Sequence, residues 1–165
     1  MQLEAIFARH SAKLFNYALA LARNRDQAAE LVQETALRLC AARDLPRNEA
    51  ALQAWLFITL RNYWIDTIRQ RARSEGVVAC PFEDHTALPV DEALSVREAF
   101  HALSLSHREV LAAVDIAGFT YAQTAQMLDL PIGTVMSRVS RAREAMIRML
   151  SPASGQDVER REAGE

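Results

Sequence analysis

Two cysteines, five glycines and five prolines are all that 165 residues contain of those types. Cys40 and Cys80 cannot form a disulfide framework, and neither a CxxC pair nor histidines at ligand spacing accompany them. A metal or redox centre at Cys80 and His85 would need further ligands that the neighbouring sequence does not offer. Cys40 ends an apolar helical stripe and reads as a small buried hydrophobe. Glycine and proline act as punctuation, with Pro46, Gly76, Pro81, Pro89, Gly118 and Pro131 falling between periodic stretches. No apolar run approaches a membrane span and no signal-peptide pattern opens the chain, so a cytoplasmic protein without membrane insertion is expected. There is no Walker loop, nucleophile elbow, HExxH or paired-carboxylate motif. His10, His85, His101 and His107 stand without partners that would argue for acid–base work. The expectation is a binding protein, not an enzyme, with no cofactor and no metal.

What is abundant is hydrophobic residues, 50% of the chain, which argues against general disorder. The formal net charge of −2 hides an uneven distribution. Residues 1–73 hold eleven Lys/Arg against seven Asp/Glu, whereas residues 74–95 hold five acids and no base. From Pro131 to Leu150 four arginines face Glu144 alone. Two basic faces are thus separated by an acidic strap, a pattern suited to an anionic partner.

Apolar residues recur at helical spacing and no stretch alternates long enough for a strand, so the expected fold is all-α. Leu3, Phe7, Leu14, Tyr17, Ala18 and Leu21 fit one or two helices, and Asn24 with Gln27 caps the next, to about Ala42. After a loop at Leu45–Asn48 a further helix runs from about Glu49 to Arg73, with room for one break. Helix resumes from Asp91 to Leu103, Ser106 caps His107–Ala117, and Gly118 stops it. This pattern predicts two small helical domains, 1–73 and 93–150, an acidic linker over 74–92, and a disordered tail over 151–165.

The segment from Phe119 to Met146 carries the most information. Thr120 and Gln123 can form a capping box, and Tyr121, Ala125 and Leu128 share a stripe. Asp129-Leu130-Pro131 breaks that helix, and Pro131 suits the first turn of another. The second helix turns Ile132, Val135, Val139, Ala142 and Met146 inward, leaving Thr134, Ser137, Arg138, Ser140, Arg141 and Arg143 outward. Such a helix-turn-helix suits a major groove, where arginine reads guanine edges and holds phosphates. Between Trp55 and Arg73, Arg61, Arg69 and Arg73 follow one another at multiples of four. Trp55, Phe57, Tyr63 and Trp64 are interleaved with them, a combination that serves single-stranded DNA, while Tyr63 can also pack inward with Leu52, Leu56 and Leu60, and Trp55 and Leu56 read as core more than contact.

Leu130-Pro131-Ile132-Gly133-Thr134-Val135-Met136-Ser137-Arg138-Val139-Ser140-Arg141-Ala142-Arg143 closely resembles the promoter-reading domain of bacterial sigma factors. The nearest match is the group-four or extracytoplasmic-function (ECF) type of the sigma-70 family. Glu30-Leu31-Val32-Gln33-Glu34-Thr35 resembles the family's polymerase-binding helix. Ala54-Trp55-Leu56 through Arg61-Asn62-Tyr63-Trp64-Ile65-Asp66 resembles its minus-10 and promoter-melting helix. The resemblance implies a factor that directs core RNA polymerase to specific promoters and assists DNA opening in a stress or signal response. It implies that Glu30, Gln33, Glu34, Leu37 and Arg38 meet the β′ clamp helices, the β subunit being a further partner. Arg61, Asn62, Asp66, Arg69, Gln70 and Arg73 would lie on the melted minus-10 element, with the loop Arg43–Asn48 as pocket for an extruded base. Thr134, Met136, Ser137, Arg138, Ser140, Arg141 and Arg143 would read the duplex minus-35 element. An anti-sigma factor is a further expected partner. The acidic strap fits either a channel-threading mimic of RNA charge or an ordinary solubilising linker. Ala36 departs from the family's frequent phenylalanine, and Met136 from its frequent lysine.

A sigma-like decoy that titrates an anti-sigma factor would keep the helical frame but lose the basic faces, which this chain retains. An ordinary helix-turn-helix repressor would leave the N-terminal motifs without explanation.

Overall fold

The computed structural model describes residues 3–74 and 95–151. The acidic strap from residue 75 and the tail from residue 152 therefore lie outside the described residues. The described chain is all-helical: α1 Leu3–Ala22, α2 Arg25–Ala41, α3 Glu49–Ser74, α4 Val96–Ala102, α5 Leu105–Leu111, α6 Tyr121–Leu128 and α7 Ile132–Leu150. A π-helical turn, Ala112–Ile116, continues α5.

The helix boundaries follow from side chains that satisfy the unpaired amides of each first turn. Asn24 accepts from the backbone N–H of Asp26 and Gln27, as its sequence position predicts. Asn48 Oδ1 accepts from the Ala51 N–H at 2.8 Å and starts α3. Ser95 and Glu98 form a reciprocal capping box on α4, and Thr120 and Gln123 form the predicted one on α6. α1 is one helix, not two, and α3 runs without a break. The cap of α5 is Ser104, two residues before the expected Ser106, which is itself buried. Its hydroxyl accepts from the His107 N–H, so the helix begins earlier and drives Arg108 and Glu109 inward.

The π-turn shifts the phase of the chain before Gly118, whose φ of +81° is the left-handed conformation glycine adopts freely. That reversal places Phe119 in the core. Asp129, at φ 53°, ends α6, and the Leu130 N–H closes back onto the Ala125 carbonyl at 2.9 Å. Aspartate is among the few L-residues that visit this region without large strain.

The two helical units are present, but they do not stand apart as beads on a linker. One apolar core runs from Leu14 and Leu21 of α1 through Leu56, Phe57 and Leu60 of α3 to Val110, Phe119, Val135 and Val139. Phe57 sits at its centre, edge-on to Tyr17 at 5.2 Å and to Phe119 at 5.1 Å, within the range of favourable ring pairs. Arg108 adds a polar clip across the same junction. Its guanidinium donates to the carbonyls of Leu21 and His101 over 3.5 and 3.4 Å, at the C-terminal ends of α1 and α4. Burial, with Arg23 nearby, pulls its pKa down to about 10, so it stays charged at neutral pH.

Cys40 is exposed, contrary to the expectation from its stripe. The inward positions near the end of α2 are taken instead by Thr35 and Leu39, the threonine hydroxyl donating to the Leu31 carbonyl at 2.7 Å.

Candidate nucleic-acid interface

α7 starts after Pro131 and buries Val135, Val139, Ala142 and Ala145, a stripe spaced by three and four. Ile132, expected inside, is 50% exposed, because the packed stripe begins one turn later. Met136, Ser137, Ser140, Arg141 and Arg143 are exposed, and Thr134 and Arg138 are half-buried. All seven predicted minus-35 residues therefore occupy the side of α7 away from its buried stripe or its margin. The Ser137 hydroxyl donates to the Thr134 carbonyl at 3.0 Å, and the Ser140 hydroxyl to Glu144 at 3.2 Å. Arg143 pairs with Asp115 of the π-turn at 2.7 Å, which holds its guanidinium more firmly in the charged form.

On α3, Arg61, Asn62, Ile65, Asp66 and Arg69 line a shallow, polar groove of about 370 Å³. Gln70 and Arg73 continue the exposed face toward the C-terminal end of the helix. Four of the six predicted minus-10 residues thus converge on one depression. The rings interleaved with this stripe are turned largely into the bundle, as expected for Trp55 and Tyr63 and contrary to the open-face role considered for Phe57 and Trp64. Phe57 and Trp64 are buried and Trp55 is half-buried, because a bundle this small uses its large rings to fill the space among its helices. Tyr63 lies under the Arg38 guanidinium, 4.8 Å from the ring centre, on the side that faces α2. In the loop 43–48, Arg43, Asp44 and Arg47 are exposed, while Asn48 is engaged as the cap of α3.

α2 turns Ala28, Leu31, Thr35 and Leu39 inward. Glu30, Gln33 and Leu37 form its outer face, and Leu37 is 57% exposed. Glu34 and Arg38 pair at 2.8 Å one turn apart, which fixes the edge of that face.

One buried charged residue of the junction was not anticipated from the sequence. Glu109 of α5 is 1% exposed and hydrogen-bonds Arg61 Nε. Burial pushes its carboxyl above the usual range, while Arg61 and then Arg138 pull it back down. The available signal was Arg108-Glu109 standing directly before the apolar run Val110–Ala113, where a solvated face would show more polar residues.

The family model of sigma-70 region 2 matches residues 6–74, and that of sigma-70 region 4 matches residues 93–146. The ECF RNA polymerase sigma factor SigM of Mycobacterium tuberculosis is 32% identical over 151 residues, spanning 89% of this chain and 76% of that protein. The chain belongs to the ECF group of the sigma-70 family. The ECF RNA polymerase sigma factor EcfG of Rhodopseudomonas palustris is 34% identical over 146 residues, or 86% of this chain and 81% of its own. Among solved structures, the sigma factor RpoE in complex with the anti-sigma factor NepR from Bartonella quintana superposes with a TM-score of 0.67 at 30% identity, covering 93% of this chain and 96% of that one. CnrH, in complex with the cytosolic domain of CnrY, shares the fold with a TM-score of 0.65 at 21% identity, covering 92% and 89%. The protein is therefore a promoter-directing sigma factor of RNA polymerase, a regulatory initiation factor of the class that serves stress and signal responses. No described helix of this sigma factor is long and apolar enough to cross a membrane.

Proposed function

We propose that this sigma factor divides its work among three helices: α2 holds core polymerase, α3 reads and traps the melted minus-10 element, and α7 reads the minus-35 duplex. It acts in the cytoplasm by binding alone, and nucleotide addition belongs to polymerase. The observation that carries the reading is the outer face of α2, where Leu37 stands 57% exposed among Glu30 and Gln33. A large apolar side chain inside a polar rim is the composition of an interface centre. The β′ clamp helices are the surface it would meet, with Gln33 and Glu30 on polar and basic groups there.

The groove on α3 supports the second assignment, since Arg61 and Arg69 flank Asn62 and Asp66 and can combine phosphate contacts with base-edge hydrogen bonds. The loop 43–48 would supply the pocket for an extruded base, because Phe57 and Trp64 of α3 are buried in the core. An anti-sigma factor, the kind of partner present with RpoE and named NepR there, would have an apolar seat available here as well. Leu19 of α1, Val96 and Phe100 of α4, Ile116 and Met146 line a groove of about 650 Å³ between the two halves.

Reconstitution with bacterial core polymerase tests the reading. Gln33→Ala with Leu37→Ala should weaken association with core at least about tenfold, the loss of roughly 1.4 kcal/mol. Binding of the full chain to a minus-35 duplex should be unchanged. Equal loss of both would show that α2 supports the fold instead of meeting polymerase.

A further inference from the structure

α4 is only seven residues long, but its side chains fall in two adjoining rows. Val96 and Phe100 stand one turn apart, and Arg97 and His101 stand one turn apart beside them. All four line the groove of about 650 Å³ that α1, α4, the π-turn and α7 enclose. Leu19 and Ala20 of α1, Ile116 of the π-turn and Met146 of α7 complete its apolar wall. Val96 is 64% exposed, so the wall reaches the surface as an apolar patch. The cationic row has company. Arg108 donates to the His101 carbonyl over 3.4 Å, so its buried guanidinium stands beside the same end of α4. Its Nε has no partner among the described residues. Burial, with the charges of Arg23, Arg108 and Arg97, disfavours protonation of the His101 ring. The one carboxylate among the described lining residues, Asp115, is already paired with Arg143 at 2.7 Å. The groove thus joins an apolar wall to positive charge that its own lining leaves unmatched.

We propose that this groove binds a medium-chain fatty acid, with the chain along the apolar wall and the carboxylate held by Arg97 and the His101 ring. The site goes beyond the polypeptide seat suggested for the same groove and does not depend on the polymerase or DNA assignments. Three observations select this class of ligand. The volume lies within the range of about 300–1,000 Å³ usual for small-molecule sites, and suits one acyl chain better than the two of a membrane lipid. The charge is gathered on a single row of α4, which calls for a ligand with one polar end. A partner helix would instead carry polar groups along its length. The chemistry of the row fits a carboxylate. The arginine fork can hold both oxygens, and His101, neutral because its pKa lies below 6.5, can donate a ring N–H. Covering Val96 and Phe100 with the chain removes their apolar surface from water.

The test titrates the full chain with dodecanoate, kept below its micellar concentration, by isothermal calorimetry at neutral pH. Binding should saturate at one molecule per chain, with the negative heat-capacity change of apolar burial. Dodecyltrimethylammonium, the same chain on a cationic head, should bind at least about tenfold more weakly. Arg97 is exposed, so Arg97→Glu should keep the thermal midpoint of the parent while lowering dodecanoate affinity at least about tenfold. Should that variant fold poorly by circular dichroism, Arg97→Gln takes its place with the same expectation. Nuclear magnetic resonance of methyl-labelled methionines locates the ligand. Dodecanoate should shift the Met146 methyl and leave that of Met136, on the exposed face of α7, where it was. Equal affinity for the two head groups, or undiminished binding after the loss of Arg97, would overturn the site. Shifts as large at Met136 as at Met146, or uptake without saturation, would show detergent-like adsorption and overturn it too. A concentration-dependent dimer in sedimentation that dodecanoate does not dissociate would assign the groove to a second copy of the chain instead.

Discussion

Arg141 and Arg143 stand two positions apart on α7, yet the structure gives them different surroundings. Arg141 is exposed, whereas Arg143 is already paired with Asp115 at 2.7 Å. An arginine whose charge is partly neutralised by its own protein releases fewer counterions when it meets a phosphate. Arg141→Ala should therefore flatten the slope of log affinity against log salt by about one unit for a minus-35 duplex. Arg143→Ala should flatten it by clearly less, and Asp115→Asn should bring Arg143 up to the effect of Arg141. Fluorescence anisotropy across a salt series reads all three, and equal slopes for Arg141→Ala and Arg143→Ala would contradict the role of Asp115. Met136 is an exposed apolar side chain on the same face, which cannot itself pair with a phosphate. Neither the pairing of Arg143 nor the sequestration of Arg61 was legible in the sequence. Their partners lie 28 and 48 residues away, on elements whose packing no local spacing encodes.

The helix-turn-helix was the most legible element because its signals are local: a capping box, a left-handed stop and a proline at the entry to α7. Thr120 accepts from the Gln123 N–H at 3.2 Å, and the Gln123 side chain returns the bond to the Thr120 N–H at 2.9 Å. Thr120→Ala should cost about 1 kcal/mol of stability in urea unfolding, with the slope of the transition unchanged. Because α6 sets the angle of α7, the same variant should weaken minus-35 binding while association with core stays at the parent level. A loss well under the size of a normal cap would mean that tertiary packing alone holds α6 in place. α5 was less legible for a physical reason. Serine at 104 and at 106 offers equivalent caps, and the choice between them turns on which register buries Leu111 and Ala112. The π-turn that follows inserts a residue relative to α-helical phase, which periodicity cannot anticipate. On α3 the exposure of the basic stripe was legible from its spacing, and so was the core position of Trp55, but the burial of Phe57 and Trp64 was not. Aromatic content alone does not say whether a ring faces a base or a core.

Buried titratable groups, one within the N-terminal half and two at its junction with the C-terminal half, make the whole molecule sensitive to acid. His10 of α1 is buried, and burial holds its pKa below 6.5 even though Glu49 opposes the shift. The Glu49 carboxylate is 4.0 Å from Nε2, too far for a hydrogen bond to stabilise the charged ring. His101, at the end of α4, is held below 6.5 by burial and by the positive charges of Arg23, Arg108 and Arg97. For both, the unfolded chain binds the proton first as pH falls below 6.5, so they contribute stability above that value that is lost on acidification. Glu109 acts in the opposite sense. Its carboxyl is raised by burial, so the folded state takes up a proton before the unfolded state does, and its unfavourable contribution shrinks as pH falls toward 4.5. The histidines outnumber it in the window just below 6.5, and the thermal midpoint should fall between about pH 7 and about pH 5.5. His10→Gln with His101→Gln should flatten that decline, and Glu109→Gln in the parent background should steepen it by removing the opposing group. Scanning calorimetry of the three proteins across the range distinguishes these outcomes. A parent curve that is flat over the window would mean that both imidazoles accept protons without disturbing the packing around them. Steepening on loss of Glu109 would tie acid sensitivity to the buried carboxylate that joins α5 to Arg61 of α3.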